Sequence, residues 1–219
     1  MNLNIIIKSI LFIYCLPLAV MGNIFWQRNL IALGKDTIVE EALLQQLSPQ
    51  EKIRLNQGEV ILKGRSGDYQ GQIIARGNLD TAWEVITDYD NFEEFLPNIA
   101  SSQIISDSGE SKIFEQVSVV DLWLFKEELT LQIAAEETKP QEVQFRQHQG
   151  DLQFLAGTWQ LRVIDDMHVL VSHSVKVEPR SNTEKPFFYG VYESSLEETL
   201  KAIAQEITQR SASDSINGE

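Results

Sequence analysis

Cysteine is nearly absent from this 219-residue chain, and the single one, Cys15, lies inside an apolar N-terminal run. A domain that starts after that run holds no thiol, so it forms no disulfide and offers no thiolate to a metal or a substrate. Histidine is scarce as well. Of the three, His168 and His173 stand five apart in one predicted strand, hence on opposite faces, and His148 falls on the polar side of another. No histidine-based zinc site converges from that arrangement. The spacings of common chemistries are missing too: there is no G-x-S-x-G elbow, no H-E-x-x-H, no G-x-x-x-x-G-K phosphate loop and no dinucleotide fingerprint. Nothing in the sequence asks for a cofactor. Gly64, Gly67 and Gly71 are grouped, but their spacing suits a hairpin turn, not a phosphate.

Positive charge is short. Lys and Arg number 18 against 32 Asp and Glu, a formal net charge of −14. That balance argues against nucleic acid as a partner and disfavours docking onto anionic lipid by charge alone. Long apolar runs are confined to the N-terminus, where residues 5–7 and 10–20 are interrupted by Lys8 and Ser9, with Pro17 near the end and Val20-Met21-Gly22 as a cleavage context. Residues 1–22 therefore read as an export signal, which puts the domain outside the cytoplasm. Two alternatives stand beside it. The 18 residues 9–26 are long enough for an uncleaved anchor, although Pro17, Gly22 and Asn23 suit a spanning helix poorly. The other is a cytoplasmic protein with a membrane-associated leader, and in each case this segment is the candidate for membrane contact. Tyr14 stands before Cys15 where lipoprotein signals place a small residue, which argues against lipid modification.

What the chain does have is organised around residues 79–97, LDTAWEVITDYDNFEEFLP. Asn78 can cap a helix there, Asp80 puts negative charge in its first turn, and Ala82, Trp83, Ile86 and Tyr89 share one face. Phe92, Phe95 and Leu96 supply a second apolar face, and Pro97 stops it. Upstream, residues 36–47 read as helical and Ser48-Pro49-Gln50-Glu51 as a capping box for a short helix ended by Gly58. Residues 59–63 and 69–76 read as a hairpin. Downstream come strands at about 101–105, 112–120, 126–135, 142–148, 157–164 and 168–178, joined by short turns that favour sequential antiparallel pairing. Leu129, Leu131, Ile133 and Ala135 alternate with Glu128, Thr130 and Gln132, so one face is buried and the other wet. From residue 187 to 209 the period turns helical, with Tyr192, Leu196, Leu200, Ile203 and Ile207 on one side. The expected organisation is an export signal or anchor over 1–22, a helical lead-in over 23–57, one domain over 58–210 and a disordered tail over 211–219.

The candidate site residues follow from strand parity. His173 shares a face with Val169, Val171, Val175 and Val177; Gln147 follows Val143 and Phe145 inward; Glu115 has the parity of Ile113, Val117 and Val119. These groups either satisfy one another in an apolar interior or orient a ligand, and His and Glu can also move a proton. Trp159, Phe95, Tyr192 and Trp123 join them as ligand contacts. Trp123 lies in the connection 121–126, too apolar for a solvated turn, which reads as a cavity-mouth loop, a membrane-touching tip or plain packing under the last helix.

Residues 82–105, AWEVITDYDNFEEFLPNIASSQII, resemble the opening segment of the polyketide cyclase/dehydrase and coenzyme Q-binding families of the START and birch-pollen-allergen superfamily. GDLQFLAGTWQL at 150–161 resembles a strand segment of the same families, and LSPQEKIRLNQGEV at 47–60 a lead-in that some members carry. The resemblance covers residues 47–209. It implies an α+β helix-grip fold, a curved antiparallel sheet wrapped around a long C-terminal helix with a short helix pair after the first strands, and a hydrophobic cavity between sheet and helix. It does not imply one activity. The leading expectation is non-catalytic binding or carriage of a lipid, isoprenoid quinone or polyketide-like molecule. Beside it stand a cyclase or dehydratase with His173 and Glu115 as acid and base, and an interaction protein with a filled interior.

Overall fold

The computed structural model describes residues 47–122, 125–180 and 185–217. The expectations for the export segment 1–22, for Cys15, for the helix at 36–47 and for Trp123 fall outside these. The chain divides after Ser48, and all the elements below belong to the unit that starts at Pro49.

Helix α1 (Pro49–Asn56) has proline in its first turn and buries Leu55. Strands β1 (Ile61–Arg65) and β2 (Asp68–Arg76) form the hairpin. Ser66 and Gly67 both have positive φ, 55° and 92°, the two-residue turn whose twist matches that of the flanking strands. In helix α2 (Leu79–Ile86) the Asn78 carboxamide oxygen accepts from the Thr81 amide at 2.8 Å, and Ala82, Trp83, Val85 and Ile86 are buried. Asn78→Ala should cost about 1 kcal/mol, the usual value of such a cap, in a urea melt; an unchanged melt would show that the cap contributes nothing. A 3₁₀ turn (Tyr89–Asn91) leads into α3 (Phe92–Phe95). Leu96 is already extended at φ −83°, ψ 133°, the geometry forced on a residue that precedes proline.

Six further strands follow: β3 (Ile99–Asp107), β4 (Ser111–Leu122), β5 (Phe125–Thr138), β6 (Glu142–Gly150), β7 (Leu152–Asp165) and β8 (His168–Pro179). They and the hairpin make one antiparallel sheet in the order β1-β2-β8-β7-β6-β5-β4-β3. The exposed edge at β3 is blunted by two register shifts and by Asp90, whose carboxylate accepts from the Ile104 amide at 2.6 Å. Helix α4 (Lys185–Asn217) lies in the grip of the sheet, against β2, β8, α2 and α3. Among its described residues Leu196, Leu200, Ile203, Ala204 and Ile207 are buried, and all but Ala204 are those whose spacing predicts it. Where α4 meets β2, the end of the Leu200 side chain occupies the space a Cβ at Gly71 would take. The ion pair of Arg210 with Asp88, at 2.8 Å, ties the far end of α4 to the corner after α2.

The structure departs from the sequence reading in four places. Strand β7 begins at Leu152, five residues before the expected start, because the turn is made at Gly150 and Asp151. The pairing of β4 with β5 continues to Leu122 and Phe125, so only two residues join these strands where a longer loop was expected. The tail from Ser211 to Asn217, expected to be disordered, continues α4. Extending an existing helix costs no new nucleation, and the Ser213 hydroxyl donates back to the Gln209 carbonyl at 3.1 Å. Fourth, Phe114 is the buried residue among those described in β4, stacked on Tyr89 at 4.5 Å, so Glu115 takes the opposite face. Counting apolar residues misassigned this strand: Ile113, Val117 and Val119 suit the half-covered outer face of a sheet, whereas the one aromatic ring fits under the helix pair.

Candidate ligand site

Strand pairing brings Gly71, His173, Trp159 and Val143 into one row across β2, β8, β7 and β6 on the concave face. His173 is 4% exposed. Its ring stacks on Trp159 at 3.7 Å between centroids and lies nearly parallel to Phe145 at 5.5 Å. Phe145 starts two strands away. It reaches His173 across Gly157, its own partner in β7, where a Cβ would strike both the Phe145 ring and the Ser174 carbonyl. Burial between two aromatic rings disfavours the imidazolium and drives the His173 pKa down to about 3, against a smaller opposing pull from the Thr158 backbone. The imidazole is therefore neutral at physiological pH. Its Nδ1 is buried without a hydrogen-bond partner among the described residues, as are Gln147 Oε1 and Ser102 Oγ.

Gln147 faces inward as expected, and its Nε2 donates to the Leu152 carbonyl at 3.1 Å. It is not beside His173. It stands four residues along β6 from Val143, about 13 Å at the usual strand rise, with Phe145 between. Tyr192 of α4 packs on Tyr69 at 5.9 Å and Phe188 at 5.8 Å, and burial pushes its phenol pKa well up. Phe95 is edge-on to Phe92 at 5.8 Å and carries the Arg210 guanidinium 5.4 Å above its ring. Phe95, Leu96 and Pro97 form one wall of a surface groove of about 360 Å³; Lys201, Ala202 and Gln205 of α4 belong to the opposite wall.

Glu115 does not join this group. On the convex face its carboxylate accepts from Gln132 Nε2 at 3.1 Å, and strands β5, β6 and β7 separate it from β8, about 19 Å along the sheet. The expected acid–base pair with His173 is therefore not assembled. Sequence reasoning passed over Phe145 as a flank of the site, although Gly157 in mid-strand is the kind of residue that marks a close approach. It also passed over Glu137, which pairs with Lys112 at 2.9 Å and, after burial, is the next cause of a raised Tyr89 pKa. Among the described residues no cluster of three His, Cys, Asp or Glu could hold a metal, and no helix is long and apolar enough to cross a membrane.

The family described as polyketide cyclase / dehydrase and lipid transport matches residues 78–204, from the cap of α2 into the last helix. The chain belongs to this family. Binding or carriage of a hydrophobic small molecule is the general function that goes with it. Solved structures agree in fold at low sequence identity. A START superfamily protein from Mycobacterium smegmatis superposes with a TM-score of 0.56 at 13% identity, covering 69% of this chain and 99% of its own. The Zhui aromatase/cyclase from Streptomyces sp. R1128 gives 0.53 at 13%, covering 69% and 96%. A STAR-related lipid transfer protein from Xanthomonas axonopodis gives 0.53 at 15%, covering 68% and 92%. No functionally curated protein matches the chain.

Proposed function

We propose that this family member binds and carries an apolar small molecule, of lipid, isoprenoid-quinone or polyketide-like kind, between the concave sheet and α4. The observation that carries the reading is a set of apolar rings, Phe145, Trp159, Phe188 and Tyr192, that pack against the core yet stay only partly buried, while Phe95 belongs to the separate surface groove. Helix α4 packs mainly on β2 and β8, whereas Phe145 and Trp159 stand on β6 and β7 beside that contact. A filled interior would close over such rings. Here an apolar molecule laid along them would remove further area from water, at about 25 cal/mol per Å². The buried but unpartnered atoms on the same face, His173 Nδ1 and Gln147 Oε1, supply points to orient it. A cyclase or dehydratase built on His173 and Glu115 lacks support, because the two side chains lie on opposite faces.

Native mass spectrometry of the purified protein should show an apolar adduct at one per chain. The neutral probe N-phenyl-1-naphthylamine should bind saturably and be displaced by that adduct. Trp159→Ala should weaken the probe about tenfold, the effect of truncating a central aromatic contact. A protein that carries no adduct and leaves the probe dark would overturn the reading.

A further inference from the structure

Gln147 contains an atom whose chemistry constrains the ligand further. Its side chain lies on the concave face beside Ile133 of β5, with which it pairs. The bond from Nε2 to the Leu152 carbonyl sets the orientation of the amide, because a carbonyl only accepts and only the NH₂ end of the amide can donate. Oε1 is thereby committed as an acceptor. It is buried and meets no donor among the described residues. The nearby cation does not serve it, since Arg180 is directed to the backbone carbonyls of Gly150 and Leu152. A buried amide oxygen left without a donor is costly, and native proteins rarely leave one so.

The other unpartnered atoms on this side of the sheet, His173 Nδ1, Ser102 Oγ and the Tyr89 hydroxyl, do not discriminate in the same way, the tyrosine hydroxyl being able to donate or accept. A serine hydroxyl rotates to donate or accept, and a neutral imidazole nitrogen does either according to its tautomer. Gln147 Oε1 can only receive. On the reading of the concave face as a ligand site, we infer that Gln147 Oε1 receives a hydroxyl or N–H of the bound molecule. The ligand is then an apolar compound that bears a hydrogen-bond donor, such as an alcohol, phenol or hydroquinone. Esters, ethers and quinones, whose polar atoms only accept, leave the amide oxygen unpaired. A site built around such a group rejects the analogue that lacks the donor more strongly than an apolar pocket rejects a missing methylene.

The test compares 4-nonylphenol with 4-nonylanisole, its methyl ether, by displacement of N-phenyl-1-naphthylamine from the delipidated full chain. Desolvation alone favours the ether, because its oxygen gives up less to water than a phenol does. The phenol is nevertheless expected to bind about tenfold tighter, the return on one hydrogen bond to a buried acceptor. Gln147→Met should weaken the phenol, spare the ether and so abolish or reverse the preference, as desolvation alone would have it. Equal affinities in the wild type, or a preference for the ether, overturn this inference and leave the apolar-ligand site standing. A preference that survives in Gln147→Met also overturns it, by assigning the donor to another residue. Failure of both probes to bind overturns the ligand site and this inference together. Should Gln147→Met melt far below the wild type, the wild-type comparison decides by itself.

Discussion

Replacing Trp83 with alanine is expected to lower stability by about 3–5 kcal/mol, the range for emptying a large core site. Trp83 is 4% exposed and stands in α2, the helix that packs on both β7 and α4. Its neighbours in α2, Ala82 and Val85, are fully buried, so the helix has little freedom to collapse into the space that the indole leaves. Urea unfolding followed by far-UV circular dichroism measures the change. A loss below about 1 kcal/mol would mean that the grip of α2 on the sheet does not depend on this ring.

Acid should destabilise the protein through His173, and the direction follows from proton counting. The unfolded chain protonates this residue near pH 6.5, whereas the folded chain resists until about pH 3. Between those values the unfolded state binds the extra proton, so stability falls as pH falls, by about 1.4 kcal/mol per unit once well below 6.5. Above pH 6.5 the penalty vanishes, and by pH 3 it is complete. His173→Leu removes this proton and nothing else that titrates. Between pH 6.5 and 4.5 the wild type should therefore lose about 2 kcal/mol more than the variant. Parallel loss in both proteins would show that His173 faces water, and the stacking with Phe145 and Trp159 would then not hold.

Much of the fold was legible because it is written in local periods. Alternation in β5 and β8, the four-and-three spacing of α4, the Asn78 cap and the Pro97 stop each concern a few consecutive residues, and each agrees with the structure. Strand β4 was illegible for the same reason. With Ile113 and Phe114 adjacent, its pattern offers an apolar residue to either face, and the choice is made by Tyr89 and Phe92, two elements earlier.

The candidate site divides along the same line. Period two by itself determined that His173 and Gln147 face the interior, because side-chain direction is a property of a single strand. Only the tertiary structure decided what surrounds them. The order β8-β7-β6 carries Trp159 and Phe145 to His173 from 14 and 28 positions away, and Gly157 lets the second ring cross a strand to reach it. The same sheet order leaves Glu115 on the far face, four strands off, since strand neighbours are chosen by the packing of the whole sheet and not by the pattern within any one strand.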